Sequence, residues 1–279
     1  LGAQLSHTRL QQEFYQNVQW LLEKPGSAYR RLISSTVNSV EAKTLETFGT
    51  NLGYVSWTYG ARTIRHLESR HGYHIPCTLI LDCDCDAEPC VDLRQLVTEG
   101  QRLGIYTYMV LAGSHTRNAE RLPDLFGAFP DSAFVVFSGS EALTTLLTQE
   151  THPLRNVITV LPLARPDKAS HIETLTAKKR LAGIYTVYDD TNAEEIFSGQ
   201  AIRECGELGC GFMFFIAGST CSAQAARRVR DYVRQGREKQ AYPVFAMDLW
   251  SDIDYVDQVI SPESARLTVR CDGAVFTAA

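Results

Sequence analysis

From Thr78 onward the sequence repeats one unit, a short apolar run followed by an amphipathic stretch. Strict alternation of this kind, with right-handed crossovers, restricts a chain to a parallel sheet flanked by helices. Strands are predicted at Thr78–Asp82, Tyr106–Leu111, Ala133–Phe137, Val157–Leu161, Ile184–Tyr188, Phe212–Ala217 and Val244–Met247. Between them fall helices at Leu93–Leu103, Ala119–Phe126, Glu141–Gln149, about Ser170 to Leu181, Ala193–Leu208 and Ala223–Gln235. Seven strands are too many for a small open sheet and one short of a closed eight-stranded barrel. The pattern therefore predicts an α/β fold, a partial (open) TIM-like barrel, with a doubly wound open sheet as the alternative.

Before the first strand the chain reads as helical. Phe14, Val18, Leu21 and Leu22 recur at helical spacing, Pro25-Gly26 breaks the run, and Ala28–Ile33 and Ser39–Phe48 continue it. Tyr54, Trp57 and Tyr59 precede a further helix from about Ala61 to Arg70, stopped by Gly72. After the last strand, Arg266–Val269 and Ala274–Phe276 flank Asp272-Gly273 as a short hairpin-like tail. The expected organisation is an N-terminal helical cap (1–73), a partial barrel (74–260) and a C-terminal tail (261–279).

The charge balance narrows the partners. A formal net charge of -5 over 279 residues argues against nucleic acid and anionic membranes. The basic stretch Arg227–Lys239 reads as a solvated helix face. No run of about 18 apolar residues is present, and the first residues lack a charged-then-apolar leader pattern. A cytoplasmic protein is expected, and in that setting its eight cysteines are not expected to form a disulfide framework.

Chemistry in such a barrel sits at the C-terminal ends of its strands. The first strand runs into Asp82-Cys83-Asp84-Cys85-Asp86-Ala87-Glu88-Pro89-Cys90, three thiols interleaved with four carboxylates. Three thiolates can hold an iron–sulfur cluster or zinc, whereas the carboxylates raise the cost of ionising the thiols and repel an anionic cluster. The balance favours no bound metal at Cys83, Cys85 and Cys90, with a cluster or zinc as the alternatives. A second acidic group, Asp82, Asp189, Asp190, Asp248 and Asp252, falls at strand ends, where it can bind a cation or simply cap helices. His115 is a further ligand candidate or a solvated side chain.

Several segments, in order, resemble one branch of the radical S-adenosylmethionine (radical SAM) enzymes: FGTNLGYVSWTYGARTIRHLESRHGYHIPCTLILD, EGQRLGIYTYMVLAG, FPDSAFVVFSGS, AGIYTVYDDTNAEEIFS, GFMFFIAGSTCS and YPVFAMDLWSDIDYVDQVIS. The resemblance spans residues 48 to 276 and implies an open (β/α)6 barrel with extensions. It also implies a CxxxCxxC loop for a [4Fe–4S] cluster, but that loop here is shortened to C-x-C-x4-C. The family's GGE, which binds the cofactor's amino group, reads Ala112-Gly113-Ser114. The tail RLTVRCDGAVFTA corresponds to a region of auxiliary-cluster cysteines, of which Cys271 remains, while Val259 replaces another. Carried over by position, Ala112, Gly113, Ser114, Ser138, Gly139, Asp189 and Asp248 would line the cofactor cradle. The resemblance thus implies a degenerate member without cofactor, a binding subunit for a peptide, a small molecule or an active relative. The alternative is a radical enzyme with an atypical [4Fe–4S] site at Cys83, Cys85 and Cys90 that uses S-adenosylmethionine, and zinc is the third reading.

Overall fold

The computed structural model describes residues 16, 27–86, 88–150, 154–261 and 266–277. Its strands are β1 Thr78–Asp82, β2 Thr107–Ala112, β3 Ala133–Ser138, β4 Val157–Pro162, β5 Leu181–Tyr188, β6 Phe212–Ala217, β7 Phe245–Asp248, β8 Leu267–Arg270 and β9 Val275–Thr277. The helices are α1 Ala28–Ser39, α2 Ala42–Gly49, α3 Ala61–His71, α4 Leu93–Leu103, α5 Leu122–Ala128, α6 Glu141–Gln149, α7 Lys168–Ala177, α8 Ala193–Ile196, α9 Gln200–Glu207, α10 Ala223–Lys239 and α11 Leu249–Ile260. Thr50–Gly60 is π-helical and joins α2 to α3 without a break. The strands form one sheet in the order β7-β6-β5-β4-β3-β2-β1-β8-β9, curled into an open half-barrel. The expected partial TIM-like barrel is the fold.

Period-two alternation sorts each strand's side chains. Leu79, Leu81, Tyr108, Val110, Phe134 and Val136 pack outward beneath the helices. Ile80, Met109, Val135, Phe137, Ile158, Val160, Phe214 and Ile216 line the concave face. Burying a side chain of this size contributes roughly 1.5–3 kcal/mol, so a one-residue slip, which inverts every face, is strongly disfavoured. The same alternation carries past β1: Cys83 continues the outward row, and Asp82 and Asp84 continue the concave one.

The front helices close the N-terminal end of the half-barrel. Val40 and Phe48 enter the concave core. The Asn51 amide donates to the carbonyls of Pro130 and Ser132, ahead of β3, at 2.7 and 3.1 Å. At the start of β2, Thr107 donates its hydroxyl to Ser56 at 2.9 Å. Gly104 (φ 96°) meets the Gly60 carbonyl so closely that neither position has room for a side chain. The C-terminal ends of the strands lie at the opposite end, the mouth. The stretch around Phe14 to Pro25-Gly26 lies outside the described residues.

Three departures from the sequence pattern have physical causes. The segment predicted as one helix, Ala193–Leu208, is split by Gly199 in the left-handed region (φ 71°). The predicted helix from Ser170 ends at Ala177, and Lys179 (φ 53°) turns the chain into a β5 that begins at Leu181. Past β7, where no helix was expected, α11 starts on the Asp248 side chain, which accepts from Ser251 N–H. It crosses to the start of β1, where Asp257 accepts the Cys77 N–H at 2.8 Å. The tail hairpin forms as expected, β8 antiparallel to β9, and β8 also pairs parallel with β1. Among the described residues no helix is long and apolar enough to cross a membrane.

Candidate functional site

The mouth is formed by the residues that leave β1 to β7. Asp84 stands at its centre. Its carboxylate packs directly over Gly113, in the space that any side chain there would need. It accepts the His115 N–H at 2.8 Å, while the Asp84 N–H donates to Asp82 at 3.1 Å. A side chain at Gly139 would press on Gly113 and on the Tyr185 hydroxyl. Gly139 and Ser140 both donate their N–H groups to the Ala112 carbonyl, at 2.7 and 3.1 Å. Gly113, Gly139, Asp84 and Tyr185 therefore meet at one point. Burial, and then the charge of Asp84, push the Tyr185 phenol up, and burial also pushes the Asp82 carboxyl up.

This arrangement makes a direct prediction. Gly113→Ala drives a methyl group into the Asp84 carboxylate, the end of an exposed side chain that must swing aside and give up its bond to the His115 N–H, and is expected to cost about 1 kcal/mol. Adding Asp84→Ala removes the obstacle and the bond together, so the double variant should lose no more than Gly113→Ala in a urea titration. Additive effects would show that the two residues do not share that space.

The three cysteines of the loop stand in three different states. Cys83 is buried among Leu81, Ala112 and their neighbours, and burial, with Asp82 and Asp84 adding to it, pushes its thiol up to about 12. Cys85 is bonded to Cys271, 186 residues away in sequence. Cys90 is a free, exposed thiol. The expectation that disulfides are absent is thus corrected by the Cys85–Cys271 bridge, which closes through the pairing of β8 with β1 and was invisible to spacing alone. In this form Cys85 has no thiolate to offer a metal. Cys77, Cys205 and Cys210 are buried free thiols, and Cys221 is half-buried and free.

The acidic set does not converge. The Tyr188 hydroxyl donates to Asp248 at 2.7 Å inside the core. Asp252 is clamped by Arg237 at 2.7 and 2.9 Å. Asp189 accepts from the N–H and hydroxyl of Thr191, which hold its carboxyl below the usual range. Asp190 accepts from the N–H and hydroxyl of Ser222, joining two rim loops. Trp250 donates its indole N–H to the Ala217 carbonyl at 2.9 Å, and Arg266 lies over its ring. His115 is exposed, 3.8 Å from Asp84 and 4.0 Å from Asp86.

Among the described residues, one trio of potential metal ligands has its atoms within 4.8 Å of one another: Glu141, Asp167 and His171. Sequence reasoning did not single it out, because its members follow two different strands. The Arg165 guanidinium already fills it, bonding Glu141, Asp167 (2.6 Å) and the Thr144 hydroxyl (3.1 Å). A cation built into the cluster neutralises the carboxylates that would attract another.

No protein-family model matches the chain, and no curated protein sequence matches it. Solved structures do. SuiB of Streptococcus suis bound to S-adenosylmethionine superposes with a TM-score of 0.53 at 13% identity, covering 78% of this chain and 62% of that one. SuiB bound to its precursor peptide SuiA gives 0.51 at 12% identity, covering 78% and 63%. This chain shares the fold of SuiB. It spans a little under two thirds of the length of the SuiB chains. Within that fold the residues present do not fit the two groups that the sequence resemblance implies. A [4Fe–4S] cluster needs converging thiolates, whereas Cys83 faces the core and Cys85 is bridged. The glycine turn after β2, where the family binds the cofactor's amino group, is covered by the Asp84 carboxylate.

Proposed function

We propose that this chain is a radical SAM-fold protein that acts by binding, as a peptide-binding or partner subunit, and not by radical chemistry. The observation that carries this reading is the closure of the mouth by the chain's own groups, Asp84 over Gly113 and Cys85 bridged to Cys271. The departures from the family pattern fall on the chemistry, while the strands and the concave core are kept. A scaffold retained without its reactive residues is suited to recognition.

A peptide is the favoured ligand class because SuiB, with the same fold, has been captured with a precursor peptide. The rim exposes the Asp84 and Asp86 carboxylates, with Glu88 already paired to Arg117 at 2.6 Å, and Asp84 and Asp86 favour a cationic segment. Calorimetric titration with S-adenosylmethionine should give no saturable heat up to millimolar concentration. A short lysine-rich peptide should bind and weaken as salt rises, because exposed charges are screened over about 10 Å at 0.1 M salt. Micromolar binding of S-adenosylmethionine would overturn the proposal.

A further inference from the structure

Cys90 has no part in the reading above, yet it lies against the bridge that closes the mouth. Its N–H donates to the Cys271 carbonyl at 2.9 Å, and the next residue, Val91, donates to the same oxygen at 3.2 Å. The Cys90 sulfur rests over Gly273, two residues past Cys271, at 3.2 Å from where a side chain there would begin. Gly273 has φ 86°, so the tight turn that brings Cys271 round to Cys90 is one that glycine adopts without strain. Cys85 and Cys271 are buried, and Cys90 is exposed and unbridged. Backbone pairing therefore ties the residue that carries a free thiol to Cys271 of the disulfide, at the point where the strand-end loop and the tail are joined.

We infer that Cys85, Cys271 and Cys90 form a thiol–disulfide exchange site in which Cys90 is the attacking thiol. The Cys90 thiolate attacks the Cys271 sulfur, a Cys90–Cys271 bond forms, and the Cys85–Cys271 bond breaks. Cys85 leaves as a thiolate and takes up the proton that Cys90 released. One disulfide is present before and after, so the step needs no external oxidant or reductant. Exchange keeps the tail tied to the segment leading into α4 and releases Cys85, which lies one residue from Asp84 and its seat on Gly113. A small external thiol that opens the same bridge would act at the same place.

Two variants test the assignment. Cys85→Ser, oxidised with glutathione disulfide and mapped without reduction after cleavage ahead of Asp86, should carry most of its Cys271 in a Cys90–Cys271 bridge. Cys271 left as the free thiol, or only as its glutathione adduct, would overturn the inference. In the otherwise unaltered protein, light-isotope alkylation of the folded chain followed by reduction and heavy-isotope alkylation reports which thiols become free. Light label should enter Cys85 at least tenfold faster than in Cys90→Ser, where the attacking sulfur is gone. Equal rates in the two proteins would count against exchange.

Discussion

Replacing Cys271 with serine is expected to produce the largest loss of stability of any single exchange at the mouth. The bridge to Cys85 spans 186 residues. Chain-entropy arithmetic for a loop of that size gives about 5 kcal/mol, at the upper end of what disulfides contribute. In a chain of this length 1 kcal/mol shifts the melting temperature by about 2 °C, so Cys271→Ser should melt about 10 °C lower. The expected loss has a structural location. β8 is held to β1 over four residue pairs, and Cys271 donates its N–H to the Asp82 carbonyl at the end of that ladder. Without the bridge, the tail hairpin should exchange its amide hydrogens well before β2 to β5 do. Calorimetry with hydrogen exchange checks both, and an unchanged melting temperature would mean that the bridge does not constrain the unfolded chain. Cys85→Ser is the milder variant, because Cys90 can take its place.

The second large effect is expected at Arg237. Its guanidinium makes two bonds to Asp252, a nearly buried carboxylate on α11, from the last turn of α10. Arg237→Met keeps the packing of the stem and strands the carboxylate, which should cost about 3–5 kcal/mol. Burial raises the Asp252 carboxyl, and Arg237 opposes that rise. An acid whose folded pKa lies above its unfolded value binds its proton more tightly when folded, so protonation favours the folded state. The deficit of Arg237→Met is therefore full at neutral pH, where the stranded group is charged. It shrinks as pH falls through the raised folded-state pKa. Adding Asp252→Leu should recover most of the loss at pH 7. Urea titrations at several pH values measure both, and a deficit that grows on acidification would refute the assignment.

The fold was legible because its signal is repetitive. Apolar runs such as Thr78–Leu81 and Ala133–Phe137 alternate with amphipathic helices, of which Leu93–Leu103 is stopped by Gly104, and carry the alternation directly. α11 was harder to see, because Leu249-Trp250-Ser251-Asp252-Ile253-Asp254 mixes acids with apolar residues. Its N-cap, Asp248, reads from sequence equally well as a mouth carboxylate. The site was legible only in part. The sequence placed Cys83, Cys85, Cys90, Gly113 and Gly139 at strand ends, where they are. Which of them touch depends on contacts across the sheet: Cys85 finds Cys271 through β8, and Asp84 finds Gly113 through the pairing of β1 with β2. Strand alternation beyond Asp82 would have turned Cys83 outward beneath the helices and Asp84 to the concave face, a signal present in the sequence. Arg165 among Glu141, Asp167 and Thr144 left no pattern at all, since its partners come from α6 and from the turn before α7.

The most direct test of a scaffold that has left radical chemistry behind is metal content. The protein would be purified without oxygen, checked by thiol counting for an intact Cys85–Cys271 bridge, incubated with iron and sulfide, and freed of excess reagents before iron, sulfide and zinc analysis. The structure predicts a colourless protein with iron and sulfide far below one atom per chain. About four irons and four sulfides, the content of a [4Fe–4S] site, with absorbance near 400 nm, would contradict it and make this chain a radical enzyme with a new cysteine spacing.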